Sequence, residues 1–283
     1  MQSPLMPKRI GPWLVAAALL MLSRAALADL MLYPTRVVFE KNQRAAQVEL
    51  INQGKTPETY RINLVNRRMS ETGEFIAVET PGAGEQFADR LLRYSPRQVT
   101  IPPGGSQTVR ILLRKPADLS AGEYRSHLQF DRLADASGSG SIEELDQTFG
   151  GSSIGVVLTA LVGASIPIIV RHGDTRASVT LSDLALVGPG ADSQTLAFQI
   201  NRDGSRSVFG DLAVTFTPEG GAAIELAKAG GVAVYVPNPL RRARMPLQLP
   251  AGTALRAGTL RVSFRDRPEA GGKLLAEASL ALP

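Results

Sequence analysis

Apolar and polar positions alternate with a period of two along much of the chain. In MLYPTRVVFE, Thr35, Val37 and Phe39 alternate with Arg36 and Val38. Ala46, Val48 and Leu50 share a face in AAQVELINQG, and Asn52-Gln53-Gly54 turns the chain. Tyr60, Ile62 and Leu64 face one way in TYRINLVNRR, with Arg61 and Asn63 facing the other. Val109, Ile111 and Leu113 repeat the pattern, as do Ser126, Leu128 and Phe130. This period predicts half-buried strands. Ser70-Glu71-Thr72-Gly73 and Pro102-Pro103-Gly104-Gly105 are turn clusters between them. Short strands with regular turn signals predict an all-β sandwich.

Leu133 to Ser153 breaks the pattern with a polar, Gly/Ser-rich stretch, read as a long loop. After Arg171-His172-Gly173-Asp174 the strands resume. ASVTLSDLALV, TLAFQIN, FGDLAVTFTP, GVAVYVP, RMPLQLP, GTLRVSF and LLAEASLAL predict a second sandwich over 174–283, with a hinge at 171–174.

Between these halves lies a run without a formal charge, Phe149 to Val170. Its length would admit a membrane span, but Gly155, Gly163 and Pro167 interrupt it and its Val, Ile and Thr favour a strand. Even positions (Ile154, Val156, Leu158, Ala160, Val162, Ala164, Ile166, Ile168) and odd ones (Val157, Thr159, Leu161) are both largely apolar. Such a strand is buried on both faces, or it awaits a partner. A central strand between two sheets is one reading. An edge strand offered to another chain, the β-augmentation mode, is the other.

The N-terminus changes the charge argument. Lys8 and Arg9 precede an apolar core, Trp13 to Leu22, and Ala26-Leu27-Ala28 supplies small residues before Asp29. Residues 1–28 read as a secretory signal peptide, which places the mature chain outside the inner membrane with no span of its own. Their removal takes Lys8, Arg9 and Arg24, so the formal charge falls from +5 to +2. That leaves little electrostatic support for a nucleic-acid partner. There is no cysteine, so the fold must rest on packing rather than disulfides.

Candidate chemistry is sparse. His127 and His172 are the only histidines and read as surface or hinge residues, not as a metal pair. No G-x-S-x-G elbow is present, and Gly188-Pro189-Gly190 and Gly220-Gly221 lack the strand–loop–helix context of a phosphate loop. Arg241 to Arg244 reads as a solvated loop face. Nothing in the residues asks for an enzyme or a cofactor.

Several segments together resemble the periplasmic pilus-assembly chaperones of the chaperone–usher pathway, the PapD-like group. YPTRVVFE resembles that family's first strand, and AQVELINQGKTPETYRINL the strand pair that follows. LLRYSPRQVTIPPGGSQTVRILLRKP resembles its proline-marked segment. GEYRSHLQF and IPIIVRHG resemble the last two strands of its first domain. The likeness covers about residues 30–173; over 174–283 mainly the strand spacing agrees. It implies two immunoglobulin-like sandwiches set at an angle around a cleft: 29–173 and 174–283. It implies a periplasmic chaperone that lends strand 154–170 to an incomplete pilus subunit and passes the subunit to an outer-membrane usher. Carried over by position, Arg36 matches the cleft arginine that grips the subunit's C-terminal carboxylate. A guanidinium forks onto a carboxylate with two hydrogen bonds. Val156, Leu158, Ala160 and Val162 match the donated side chains, and Arg171 the strand-end arginine of an interdomain salt bridge. Where the family places a second cleft cation, this chain has Pro167; Arg125 and His172 are candidate substitutes. A free chaperone of this kind would be open to capping its strand by self-association. Two other classes stand beside it: a structural subunit or adhesin of a surface fibre, and an exported carbohydrate-binding module.

Overall fold

The computed structural model describes residues 30–133, 163–190, 193–250 and 255–283. The expected signal peptide, 1–28, lies outside them. Within them the chain is almost entirely strand, and the strands form two sandwiches around a cleft, which is the fold class expected.

The first sandwich is built from β1 (Leu30–Tyr33), β2 (Val37–Phe39), β3 (Ala45–Asn52), β4 (Glu58–Val65), β5 (Arg67–Met69), β6 (Phe75–Ala77), β7 (Leu92–Ser95), β8 (Gln98–Ile101), β9 (Ser106–Leu113), β10 (Gly122–Arg132) and β11 (Ala164–His172). One sheet has the order β1-β3-β9-β7 and the other β2-β11-β10-β4-β8, while β5 and β6 pair as a separate hairpin. The period-two faces are the core faces. Val48, Leu50, Ile62, Val109, Ile111, Leu128 and Phe130 are fully buried, with Phe39 and Ile168 joining them.

The second sandwich contains β12 (Ala177–Gly190), β13 (Ser193–Gly204), β14 (Val208–Pro218), β15 (Ile224–Val234), β16 (Leu240–Pro246), β17 (Gly258–Asp266) and β18 (Leu274–Leu282). Sheet β12-β13-β16 faces sheet β15-β14-β17-β18 across a core centred on Leu196, Ile200, Val214, Val262 and Phe264. Arg241 to Arg244 is not a loop. It belongs to β16, paired with Ala197 to Ile200. Alternation within the run explains the difference: Ala243 and Met245 turn inward while Arg242 and Arg244 remain outside.

From Ala164 the uncharged run is strand rather than helix, antiparallel to β10 from Phe130↔Ala164 to Gly122↔His172. Its other neighbour, β2, is parallel and meets it only at Ile168, Ile169 and Val170. The remaining edge, Ala164 to Pro167, carries no strand among the described residues. That setting suits Pro167, since a proline in a sheet belongs where no neighbour needs its missing N–H.

Replacing Phe130 by Ala should destabilise the chain by roughly 3–5 kcal/mol, as expected for an emptied core position. Ile76→Ser, at a side chain 53% exposed, should stay within about 0.5 kcal/mol. Urea denaturation of the two variants checks the contrast.

Candidate functional site

The outer face of the β2-β11-β10-β4-β8 sheet is where the two sandwiches meet. Register places Val38, Ile169 and Arg125 in one row across β2, β11 and β10. His127 lies beside Pro167 in the next. Arg36 stands one residue before β2, and the parallel register, Val37 beside Ile168, sets it level with Pro167. This face is not wet. Met69, Ile169, Ala233 and Tyr235 form a small buried cluster on it, with Val38 and Phe209 packed alongside. The β5–β6 hairpin closes the other side, held to the second sandwich by Asn238 Nδ2 donating to the Met69 carbonyl at 2.7 Å and by an Arg242–Glu71 ion pair at 3.2 Å.

Arg36 is partly buried and belongs to both sandwiches. Its Nη1 donates to the Tyr235 hydroxyl at 2.9 Å, and its Cζ lies 4.3 Å from the centroid of the Phe209 ring. A guanidinium stacked on aromatic faces keeps its edge N–H groups for a ligand. Burial lowers the Arg36 pKa, against the raising influence of Tyr235 and Glu123. Its far side opens into a cleft of ≈ 1260 Å³ between the sandwiches, whose walls also include Tyr33, Arg171, Arg206, Phe209 and Leu274.

Arg125 is placed differently. It is 7% exposed, lies 4.0 Å over the Tyr235 ring, and donates Nη2 to the Arg67 carbonyl at 3.0 Å. Burial, first of all, pushes its pKa down to about 10. It stands behind Tyr235 and is not among the residues lining the cleft. His172, the other candidate substitute, is partly exposed at the end of β11 and is likewise not among them.

Arg171 also lines the cleft. Its Nε pairs with Glu123 at 3.1 Å and its Nη1 with Glu40. Glu123 is the buried member, 3% exposed. It accepts from the Ser207 amide at 3.2 Å and from the Ser207 hydroxyl, both in the second sandwich. Both acids lie in the first sandwich, so among the described residues Arg171 makes no interdomain salt bridge of the kind expected; its network crosses the junction only through the hydrogen bonds from Ser207 to Glu123.

His127 was expected at the surface or hinge and is instead 1% exposed. Its ring meets Phe75 edge-on at 4.9 Å between centroids. The strand's polar face misled because a face of Arg125, His127 and Gln129 is covered by the hairpin and the second sandwich. The donor positions Val156, Leu158, Ala160 and Val162 lie outside the described residues. Of the expected strand 154–170, the part from Ala164 onward is described as strand, and it continues to His172.

No family model matches the chain, and no curated protein does. Solved structures do. The chain is similar to the YadV chaperone, at 13% identity over 90% of this chain and 100% of that one, with a TM-score of 0.44. It is similar to the class 5 fimbriae chaperone CfaA, at 13% identity over 90% and 99%, with a TM-score of 0.44. It is similar to the CsuC–CsuE chaperone–tip adhesion subunit pre-assembly complex from the archaic chaperone–usher Csu pili of Acinetobacter baumannii, at 14% identity over 90% and 98%, with a TM-score of 0.44. Two of these three names are those of fimbrial or pilus chaperones.

His127 generates a pH prediction. Burial, then the charges of Arg125, Arg67 and Arg36, push its pKa down to about 3, from an ordinary 6.5. The unfolded chain thus binds one more proton than the folded one between those values. Stability is complete above about pH 6.5 and falls as the pH drops toward 3, by about 1.4 kcal/mol per unit where the difference is a full proton. Between pH 6.5 and 4.5 the loss should be roughly 2 kcal/mol, and His127→Leu should flatten that slope. Denaturant melts at stepped pH check it.

Proposed function

We propose that the chain is a periplasmic chaperone for pilus or fimbrial subunits. It holds an incomplete subunit sandwich by adding the exposed edge of β11, with the residues preceding it, to the subunit's own sheet. It grips the subunit's C-terminal carboxylate with Arg36, and it releases the subunit to an outer-membrane usher. The observation that carries this reading is one juxtaposition. The uncovered edge of β11, Ala164 to Pro167, runs level with a partly buried arginine that opens on a cleft. An uncovered edge offers backbone hydrogen bonds to an added strand. An arginine beside it fixes where that strand ends, because a terminal carboxylate accepts two N–H bonds from one guanidinium. The edge supplies affinity, and the arginine supplies register.

The mature chain, residues 29–283, should be expressed with a tag in the periplasm of a host carrying its genomic neighbours. A small β-rich protein should then co-purify in stoichiometric amount. Arg36→Ala removes one hydrogen bond and two ring contacts, so it should cost no more than about 3 kcal/mol of stability. It should nevertheless abolish the co-purified partner. Leu158→Arg should do the same with little change in melting temperature. If Arg36→Ala unfolds the free protein, Arg36 is structural and the anchor is wrong. A clean monomer with no partner would favour the fibre-subunit or carbohydrate-binding reading.

A further inference from the structure

His127 lies in a setting hostile to a second proton. It is 1% exposed, and neither ring nitrogen has a hydrogen-bond partner among the described residues. Arg125 and Gln129 flank it two residues away, on the same face of β10. Arg67 of β5 crosses over that row, because its carbonyl accepts from Arg125 Nη2 at 3.0 Å and its own Nη2 donates to Gln129 Oε1 at 2.7 Å. Arg36 stands on the β2 side, its Nη1 bonded to the Tyr235 hydroxyl. The residues opposite on β4 and β11, Val65 and Pro167, carry no charge. Glu85 and Glu123 act on Arg125, but Glu85 is paired with Arg68 and Glu123 with Arg171. Burial first, then Arg125, Arg67 and Arg36, hold the imidazole neutral.

The cover over this ring is thin. The β5–β6 hairpin is a sheet of its own, three residues to a strand, and two strands alone are marginally stable in water. Phe75 meets the imidazole edge-on and is itself 41% exposed, so one aromatic ring stands between His127 and solvent on that side. What holds the hairpin down is the second sandwich. Asn238 grips the Met69 carbonyl, the Arg242 amide donates to the Glu71 carbonyl at 2.7 Å, and Arg242 pairs with Glu71. The Phe75 and Tyr235 rings lie 6.0 Å apart. Lifting the hairpin breaks these few contacts and hydrates His127, while both cores stay packed.

We propose that protonation of His127 releases the β5–β6 hairpin from the second sandwich, which makes the hairpin an acid-sensitive latch across the junction. This does not depend on what the cleft binds. A proton on the covered ring adds a charge beside Arg125 and Arg67 in a dry site, whereas the uncovered ring takes it in water. The closed latch is therefore favoured above the ordinary titration range of an imidazole, and the open one gains as the pH falls through that range. Release leaves the junction to the Glu123–Ser207 bonds and the contacts around Arg36.

Arg242 supplies the reporter, since its N–H is taken by the hairpin's Glu71 carbonyl. Hydrogen exchange of residues 29–283 is followed by NMR between pH 7 and 5, where ordinary carboxylates stay ionised. Rates are expressed as protection factors, which remove the intrinsic pH dependence. The Arg242 protection factor should fall about twentyfold over this range, and that of Val262, in the second core, should stay well above it. His127→Leu should hold the Arg242 change below about threefold. Phe75→Ala, at an exposed residue, lets water reach the closed ring; it should lower protection at pH 7 and shrink the change, and it serves if His127→Leu does not fold. An Arg242 factor that is the same at pH 7 and 5 in the parent overturns the latch. So does a full change that survives in the variants, because the proton then binds elsewhere. A fall of Val262 to the Arg242 value overturns it too, because the opening is then global.

Discussion

A carboxylate withdrawn from water must be met by donors, and Glu123 is met from both halves of the molecule. Arg171 reaches it from the neighbouring strand of its own sheet, and Ser207 reaches it with two donors from the second sandwich. Removing any of these would leave a buried charge short of partners, which is among the costlier defects a fold can carry. The arrangement is thus more than a contact between sandwiches. It selects one relative position, because a hydroxyl and an amide from the same residue fit a single carboxylate in few orientations. The cleft follows from that position, and so does the approach of Phe209 and Tyr235 to Arg36.

The strand pattern was open to reading because the core faces are the ones that alternate. Val109, Ile111 and Leu113 announce a buried face, and they form one. The polar faces were less informative. Arg36, Arg125 and His127 have the composition of a solvated surface, yet aromatic rings from distant segments cover them. Nothing local in β10 distinguishes a wet arginine from one that stacks on a tyrosine 110 positions later, since the covering residue belongs to a different sandwich. Arg206 and Ser207 escaped notice for the same reason. A short loop with Asp, Gly and Ser reads as a turn, and its fixed geometry depends on the Arg202 side chain and the Arg176 carbonyl, each of which bonds to the loop backbone.

Arg36 was found through resemblance rather than periodicity. Its alternation with Val37 marks it only as outward-facing. What the structure adds is where outward leads: to Tyr235 on one side and to the cleft on the other. The same holds for Pro167. In sequence it is a missing cation. In the sheet it is a residue on a half-covered edge, beside the one position where an arginine already stands.

The choice between a central strand and an edge strand turns out to be badly posed for β11. Along one side it is paired with β10 over its full length. Along the other, β2 pairs with it at three residues. The covered part gives the strand a fixed place in the sheet, buried by Ile166, Ile168 and Val170 in the first core. The uncovered part, Ala164 to Pro167, carries no strand among the described residues, and such an edge has backbone groups free for an added strand. A strand anchored at one end and unpaired at the other can present an edge without costing the fold its stability, because the two tasks fall on different residues. Under the proposed function, the covered stretch fills its own core and the uncovered one suits a partner's surface.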